Sequence, residues 1–232
     1  MIVLAIDTTA LTASAALTED GRLLGLITIN AGLIHSETIL PAVEQLLNFT
    51  RKKISDLGLI AVTVGPGSFT GVRIGVATVK GLAFERDIPC APVSTLEALA
   101  RNLNGFEAHR DSIIVPVMDA RRSQLYNAIF RGRQRLTEDR LISADELKTE
   151  LGTYDAEEIL LVGDGCEVAR RTIDLPALHE VPEYARWQNA ASVAECGLEL
   201  YNAGGAVSAA ELLPLYLRMS QAERERAESR NT

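Results

Sequence analysis

Ile2-Val3-Leu4-Ala5-Ile6-Asp7 and Ile113-Ile114-Val115-Pro116-Val117-Met118-Asp119 are two apolar runs, each ending in aspartate, with the aspartates 112 residues apart. Both have the length and β-branched content of buried strands. The residues after each run are also alike in pattern. After Asp7, Ser14 to Thr18 reads as a second strand, Asp20-Gly21 as a hairpin turn and Leu23 to Ile29 as a third strand. A helix is then predicted over Ser36 to Phe49, with Ile39, Leu40, Val43, Leu46 and Leu47 as its apolar stripe and Ser36 as N-cap. After Asp119, Leu125 to Phe130 is the returning strand, Arg131-Gly132-Arg133 the turn and Arg135 to Ile142 the third strand. Ser143 and Glu146 then form a capping box for a helix to Leu151. A single period of this size means a duplicated domain rather than an array of short repeats.

Between the two copies lies the densest glycine run, Gly65-Pro66-Gly67-Ser68-Phe69-Thr70-Gly71-Val72-Arg73-Ile74-Gly75. It follows the strand-like Leu59 to Val64 and opens a helix with Ser68 as N-cap, reaching Phe84. Val72, Val76, Val79 and Ala83 face a core at helical spacing, and Gly71, Gly75, Thr78 and Leu82 form a second row. An interior glycine costs about 1 kcal/mol against alanine, so two of them imply close approach of another backbone or helix. Neither nucleotide motif is present: Val72-Arg73 follows Gly71 where a P-loop needs Lys-Ser or Lys-Thr, and Thr70 occupies the third glycine position of a dinucleotide fingerprint.

The chain continues with a strand near Cys90 to Val93 and a helix capped by Ser94 and Glu97, ended by Asn104-Gly105. The polar stretch after it sets the expected division: residues 1–105, residues 106–219 and a charged tail, 220–232. In the second copy Ile159 to Val162 is a strand, Gly163-Asp164-Gly165 leads into a helix through Ile173, and Ser192 with Glu195 caps a helix to Tyr201.

Composition sets bounds on function. With 232 residues, 47% of them hydrophobic, the chain can bury a large core. A net charge of −8 argues against broad nucleic-acid binding, which depends on neutralising phosphates. Three cysteines without a CxxC spacing fit a reduced, cytoplasmic protein. The start lacks a basic leader, and no run approaches membrane-spanning length.

Two like domains, each opening on a hairpin whose first strand ends in aspartate, resemble the two-domain α/β fold of the actin, sugar-kinase and Hsp70 ATPases. Several motifs narrow the resemblance. In order they are Ala5-Ile6-Asp7-Thr8-Thr9, His35-Ser36-Glu37-Thr38-Ile39-Leu40-Pro41, the glycine run, Val93-Ser94-Thr95-Leu96, Met118-Asp119-Ala120-Arg121 and Pro214-Leu215-Tyr216-Leu217-Arg218. Together they resemble the bacterial TsaB (YeaZ) family over nearly the whole chain. The resemblance implies duplicated βββαβα-type domains and a place in tRNA threonylcarbamoyladenosine synthesis. The role implied is that of non-catalytic scaffold and activating partner of the paralogue TsaD, with the ATPase TsaE joining and TsaC supplying the adenylate. It also implies self-association in the absence of TsaD, tRNA contact only through the complex, and ATP used by the complex with no cofactor for this chain alone.

Asp7, Thr8 and Asp119 stand at degenerate phosphate-hairpin positions, the only cofactor-binding candidates. Active relatives usually place a glycine after the first aspartate; here Thr8-Thr9 and Ala120-Arg121-Arg122 fill those places, and each aspartate is equally able to cap its own turn. Arg121 and Arg122 read either as an anion site or as members of surface ion pairs. The metal-binding histidine pair of TsaD-type relatives needs a second histidine four residues after the first. Ile39 stands there after His35, so no metal site and no catalytic residue is expected. The expected partner interface comprises His35, Ile39, Val43, Gly71, Arg73, Ile74, Gly75, Thr78 and Leu82. The competing reading is an independent ATP-dependent kinase or phosphotransferase of the same fold; direct tRNA binding is a third, opposed by the acidic balance.

Overall fold

The computed structural model describes residues 1–218 apart from residues 85 and 105; the expected tail, 220–232, and the Gly105 helix stop lie outside the described residues. The first half runs β1 (Ile2–Asp7), β2 (Ala13–Glu19), β3 (Arg22–Ile29), α1 (His35–Thr50), β4 (Leu57–Gly65), α2 (Phe69–Phe84), β5 (Cys90–Ser94) and α3 (Thr95–Asn104). The second runs β6 (Ile113–Asp119), β7 (Gln124–Asn127), β8 (Phe130–Arg131), β9 (Gln134–Arg135), β10 (Arg140–Ser143), α4 (Ala144–Leu151), β11 (Ile159–Val162), α5 (Cys166–Arg170), β12 (Leu178–Glu180), α6 (Glu183–Arg186) and α7 (Ala190–Asn202).

The duplication expected from the two aspartate-ended strands is present in the sheets. The first is ordered β3-β2-β1-β4-β5 and the second β10-β7-β6-β11-β12, with β8 and β9 as a side hairpin on β6. In each, an antiparallel meander is extended by two parallel strands. Central strands β1 and β4 are covered on both faces and are accordingly buried along nearly their whole length and mostly apolar, whereas the edge strand β3 is only half-buried or exposed.

Covering helices are exchanged between the halves. α1 and α2 pack on the outer face of the first sheet, over Leu4, Ile6, Ile60 and Val62. The inner face, lined by Ala5, Ala16, Ala61 and Ala91, receives α7 through Ala190, Val193 and Ala194. Those small side chains let the helix come close; a Cβ on Gly197 would run into Ala61. α3, in turn, lays Leu96, Leu99 and Leu103 on Ile114, Met118 and Val162 of the second sheet, while α4 and α5 cover its other face. The proposed boundary at residues 105 and 106 therefore separates the sheets but not the helices that cover them.

An ion network crosses the same junction. Arg101 of α3 makes a bidentate pair with Glu199 of α7 (2.8 Å to each oxygen) and reaches Glu195 at 2.9 Å. Arg133, from the β8–β9 turn, pairs with the same two glutamates, and Arg135 bridges Glu97 and Asp139, each at 2.7 Å.

Local expectations fared unevenly. The Asp20-Gly21 turn has both residues at positive φ (50° and 79°), as a two-residue hairpin turn requires. Ser143 and Glu146 form the full capping box. The third strand of the second copy is shorter than Arg135 to Ile142, because residues 130–135 fold into the β8–β9 hairpin and only β10 pairs with β7. α1 begins at His35 with Ile34 as its uncapped N-cap, not at Ser36, since the His35 ring is drawn onto the Ala10 carbonyl. Ser94 Oγ accepts from the Glu97 backbone at 3.2 Å, but the Glu97 carboxylate has gone to Arg135. α7 is capped by Asn189; Ser192 lies inside it and donates to Asn102 Oδ1 at 2.7 Å. α5 stops at Arg170, short of Ile173. All three cysteines are buried and unpaired, and burial pushes their thiols up to about 11 or 12. Among the described residues no helix is long and apolar enough to cross a membrane.

Candidate functional site

The end of β1 is where a strand-to-turn aspartate can face a ligand, and here one carboxylate oxygen is spent on the turn while the other is buried. Asp7 is fully buried; its Oδ1 accepts from the Thr9 backbone at 2.8 Å and from Thr9 Oγ1 at 2.6 Å. That is the turn-capping arrangement available to any aspartate at this place. Burial pushes the carboxyl up to about 6, against the bonds from Thr9 and the neighbouring Thr63 and His35, which pull it down. Asp7 Oδ2, His35 Nδ1 and Thr63 Oγ1 are all buried with no hydrogen-bond partner among the described residues.

The glycine run wraps this turn. Thr8 Oγ1 donates to the Gly71 carbonyl at 2.7 Å, and the Thr9 carbonyl accepts from the Ser68 backbone at 2.7 Å. A Cβ on Gly71 would strike the Thr8 carbonyl, and one on Gly75 would lie 2.6 Å from Thr8 Oγ1. Both glycines, expected at a partner surface, are buried against the chain's own first hairpin. The close approach they imply is real, but its object is Thr8. Space after the aspartate, where a small residue leaves room for a phosphate, is filled by Thr8 and Thr9 with α2 behind them.

The second hairpin is more open. Asp119 is half-buried; Oδ1 accepts from the Arg121 backbone at 2.7 Å, and its own N–H donates to Asp164 Oδ1 at 3.4 Å. Burial pushes Asp164 up to about 6, with the neighbouring Asp119 charge adding to the rise. Among the described residues Asp7 and Asp119 share no hydrogen-bond partner, and no three His, Cys, Asp or Glu side chains converge as metal ligands.

The remaining interface candidates divide by burial. Ile39 and Val43 are 1% exposed and belong to the core beneath α1, so they are corrected from interface to packing residues. Half-buried His35 closes the first hairpin from α1, with Nε2 2.7 Å from the Ala10 carbonyl. Arg73 stays exposed: its guanidinium stacks 3.7 Å over the Phe69 ring, and Nε donates to Tyr216 Oη at 2.8 Å. Ile74, Thr78 and Leu82 are half-buried along the same helix. Around α1 and α2 the surface carries exposed Leu33, Ile34, Leu40, Phe84, Leu213 and Leu215. Leu40 was counted in the apolar stripe of α1 but is 43% exposed, and the others lie off the stripes; the Leu33-Ile34 pair just ahead of the helix was a visible signal. The segment after α7 returns here as well: the Leu215 backbone donates to the Val64 carbonyl, and Arg218 reaches from it to the Ala120 carbonyl at 2.6 Å.

Comparison with known proteins agrees with this architecture. Residues 25–176 match the family model described as TsaD: tRNA N6-adenosine threonylcarbamoyltransferase. The chain is 41% identical over 138 residues to the tRNA threonylcarbamoyladenosine biosynthesis protein TsaB of Bacillus subtilis, covering 60% of this chain and 58% of that protein. It is 35% identical over 136 residues to the protein of the same name from Escherichia coli, covering 56% and 55%. The match thus spans little more than half the length of these curated relatives. YeaZ from Pseudomonas aeruginosa superposes with a TM-score of 0.79 at 27% identity, covering 93% of this chain and 99% of that one. A hexokinase of the ROK group from Thermus thermophilus, at 14% identity and a TM-score of 0.50, shares the fold alone.

Proposed function

Because the chain belongs to the tRNA N6-adenosine threonylcarbamoyltransferase family, in its TsaB (YeaZ) branch, we propose that it takes part in forming threonylcarbamoyladenosine on tRNA as the non-catalytic partner of a TsaD-type transferase. The observation that carries the non-catalytic assignment is the first hairpin. Asp7 is buried with Oδ1 turned onto Thr9, and Thr8 is bonded to Gly71, so the space after the aspartate where a phosphate would sit is filled by the chain's own buried Thr8 and Thr9.

The scaffold role rests on the outer side of α1 and α2. Exposed Ile34, Leu40 and the Arg73–Phe69–Tyr216 stack offer apolar and stacking surface of the kind that dominates interfaces. In this reading the surface holds TsaD in its competent state, binding that state better than others. It pairs with a second copy when TsaD is absent and leaves ATP to the complex and its TsaE component.

The test is reconstitution with TsaC, TsaD, TsaE, ATP, threonine, bicarbonate and unmodified tRNA, scored by mass spectrometry of the adenosine beside the anticodon. Modification that requires this chain, together with no nucleotide turnover by the chain alone, is the expected result. Equal modification without it, or phosphoryl transfer by the isolated chain, overturns the proposal.

A further inference from the structure

The two edges of the first sheet differ in what covers them. β5 is closed by the returning chain, since Cys90 and Val207 exchange backbone hydrogen bonds of 2.8 Å each way. β3, at the other edge, pairs with β2 on one side and has no strand on its other side. Its eight residues exceed the five of β5, the four of β10 and the three of β12, the other strands at the ends of the two sheets. In an antiparallel ladder every second residue turns its N–H and C=O away from the neighbouring strand. The open side of β3 is therefore a row of backbone donors and acceptors.

Proline, lysine and inward-pointing charges commonly blunt an open edge, and residues 23–29 contain no proline and no charged side chain. The one such device present is a bulge at Leu24, where the register against β2 skips from Gly25 to Leu23 and leaves Gly25–Ile29 as the regular run. Within that run Gly25 and Ile27 face α1: a Cβ on Gly25 would lie 2.8 Å from Leu46, and Ile27 packs on the core beneath the helix. Leu26, on the other face, is 38% exposed. On the far side of the bulge, between the start of β3 and the end of α1, the edge opens into a cavity of about 460 Å³. Leu23, Leu24 and Phe49 give it an apolar lining. Its charged groups do not balance: Lys52 is tied to Glu19 at 2.7 Å, whereas Arg22 has no carboxylate partner among the described residues.

We propose that β3 accepts an extended segment of another protein as a further strand, with backbone bonds along Gly25–Ile29, an apolar side chain in the cavity and an acidic residue at Arg22. Strand addition of this kind draws affinity from main-chain bonds and specificity from pockets for alternate side chains, and both parts are present here. The occupant is a different chain rather than a second copy. Residues 21–36 contain no aspartate or glutamate, so the same edge paired along 25–29 brings no carboxylate to Arg22. Phe49 stands at the opposite end of α1 from Ile34, and the inference is independent of the transferase-partner reading.

The test is amide hydrogen exchange of the full chain, read by ¹H–¹⁵N NMR, with a synthetic peptide of alternating valine and threonine flanked by glutamates. Saturable binding that slows exchange at every second residue of Gly25–Ile29 is expected. Backbone N-methylation of one alternate set of peptide residues is expected to weaken binding by about tenfold or more. Methylation of the other set leaves binding unchanged, since only one set faces β3. Arg22→Glu, at an exposed position, is expected to weaken binding by about threefold to fivefold and to favour a lysine-flanked peptide by a like factor. No saturable binding, equal binding of the two methylated peptides, or an indifferent Arg22→Glu overturns the site. Exchange at Gly25–Ile29 already slowed in the free chain also overturns it. If that slowing grows with protein concentration, a second copy holds the edge; if it does not, the chain's own residues 219–232 hold it.

Discussion

Thr8 Oγ1 donates a 2.7 Å hydrogen bond to the Gly71 carbonyl, and the Thr8 carbonyl occupies the space a side chain at Gly71 would need. The two residues form a clasp between the first hairpin and the first turn of α2, so the helix carrying the exposed Arg73 is fixed by the same turn that buries Asp7.

The clasp predicts opposite signs for two alanine substitutions in one helix. A Cβ on Gly81 would have nothing within 4 Å, so Gly81→Ala stabilises by about 0.5–1 kcal/mol through helix propensity. Gly71→Ala runs into backbone and destabilises by about 1–3 kcal/mol or more. Urea unfolding of both variants measures the difference; a stabilised Gly71→Ala protein would refute the clasp.

Asp7 predicts a pH window. Its folded pKa of about 6 lies above the ordinary 3.8, so the folded state holds a proton that the unfolded state has released. The contribution of this group is therefore favourable in acid and is lost as pH rises from about 4 to about 6. Asp7→Asn, which keeps an oxygen for Thr9, should gain on the native chain through that window, reaching about 1–3 kcal/mol at neutral pH. Denaturation at pH 4 and pH 7.5 tests it; an equal difference at both shows that Asp7 titrates normally. Asp164, also raised to about 6 by burial, leaves a residual slope in the variant.

On the outer surface, Ile34→Asp and Arg73→Ala are expected to weaken binding to a TsaD-type partner by about tenfold or more; at the uncapped N-cap of α1 the new aspartate favours the helix, so weaker binding by Ile34→Asp is not a loss of fold. Ile34 is 59% exposed, so its replacement removes no core packing. Analytical ultracentrifugation of the mixed proteins reads the effect, and unchanged affinity in both variants places the interface elsewhere.

At the junction, Arg101→Ala removes a guanidinium whose side chain is only 5% exposed and leaves Glu199 to Arg133 alone. A loss of about 2–4 kcal/mol is expected, with faster amide exchange in α7. Loss of stability without faster exchange there would locate the damage in α3 only.

The duplication and the opening hairpin were readable because aspartate-ended apolar runs, a tight Asp20-Gly21 turn and the Ser143–Glu146 box act over a few residues. What the glycines meet was not. Gly71 and Thr8 are 63 residues apart, and no spacing tells a helix face that receives its own hairpin from one that receives a partner. Ile39 and Val43 show the same limit, since a correct apolar stripe does not say which sheet or chain it covers. Ser36 and Ser192 are plausible caps by type, displaced by a histidine–carbonyl bond and by Asn189. Return of the chain at Leu215 to Arg218 depends on contacts across about a hundred residues or more.

The exchange of α3 and α7 sets an order of events during synthesis. The first sheet is complete at Ser94, but the helix that covers its alanine-lined inner face begins only at Ala190. At roughly 5–20 residues per second, a ribosome leaves that face uncovered for on the order of ten seconds. Through that interval α3, too, awaits the second sheet to which its leucines belong. The nascent chain thus offers two uncovered apolar surfaces to the chaperones near the exit tunnel, and its halves are locked together only when α7 is made.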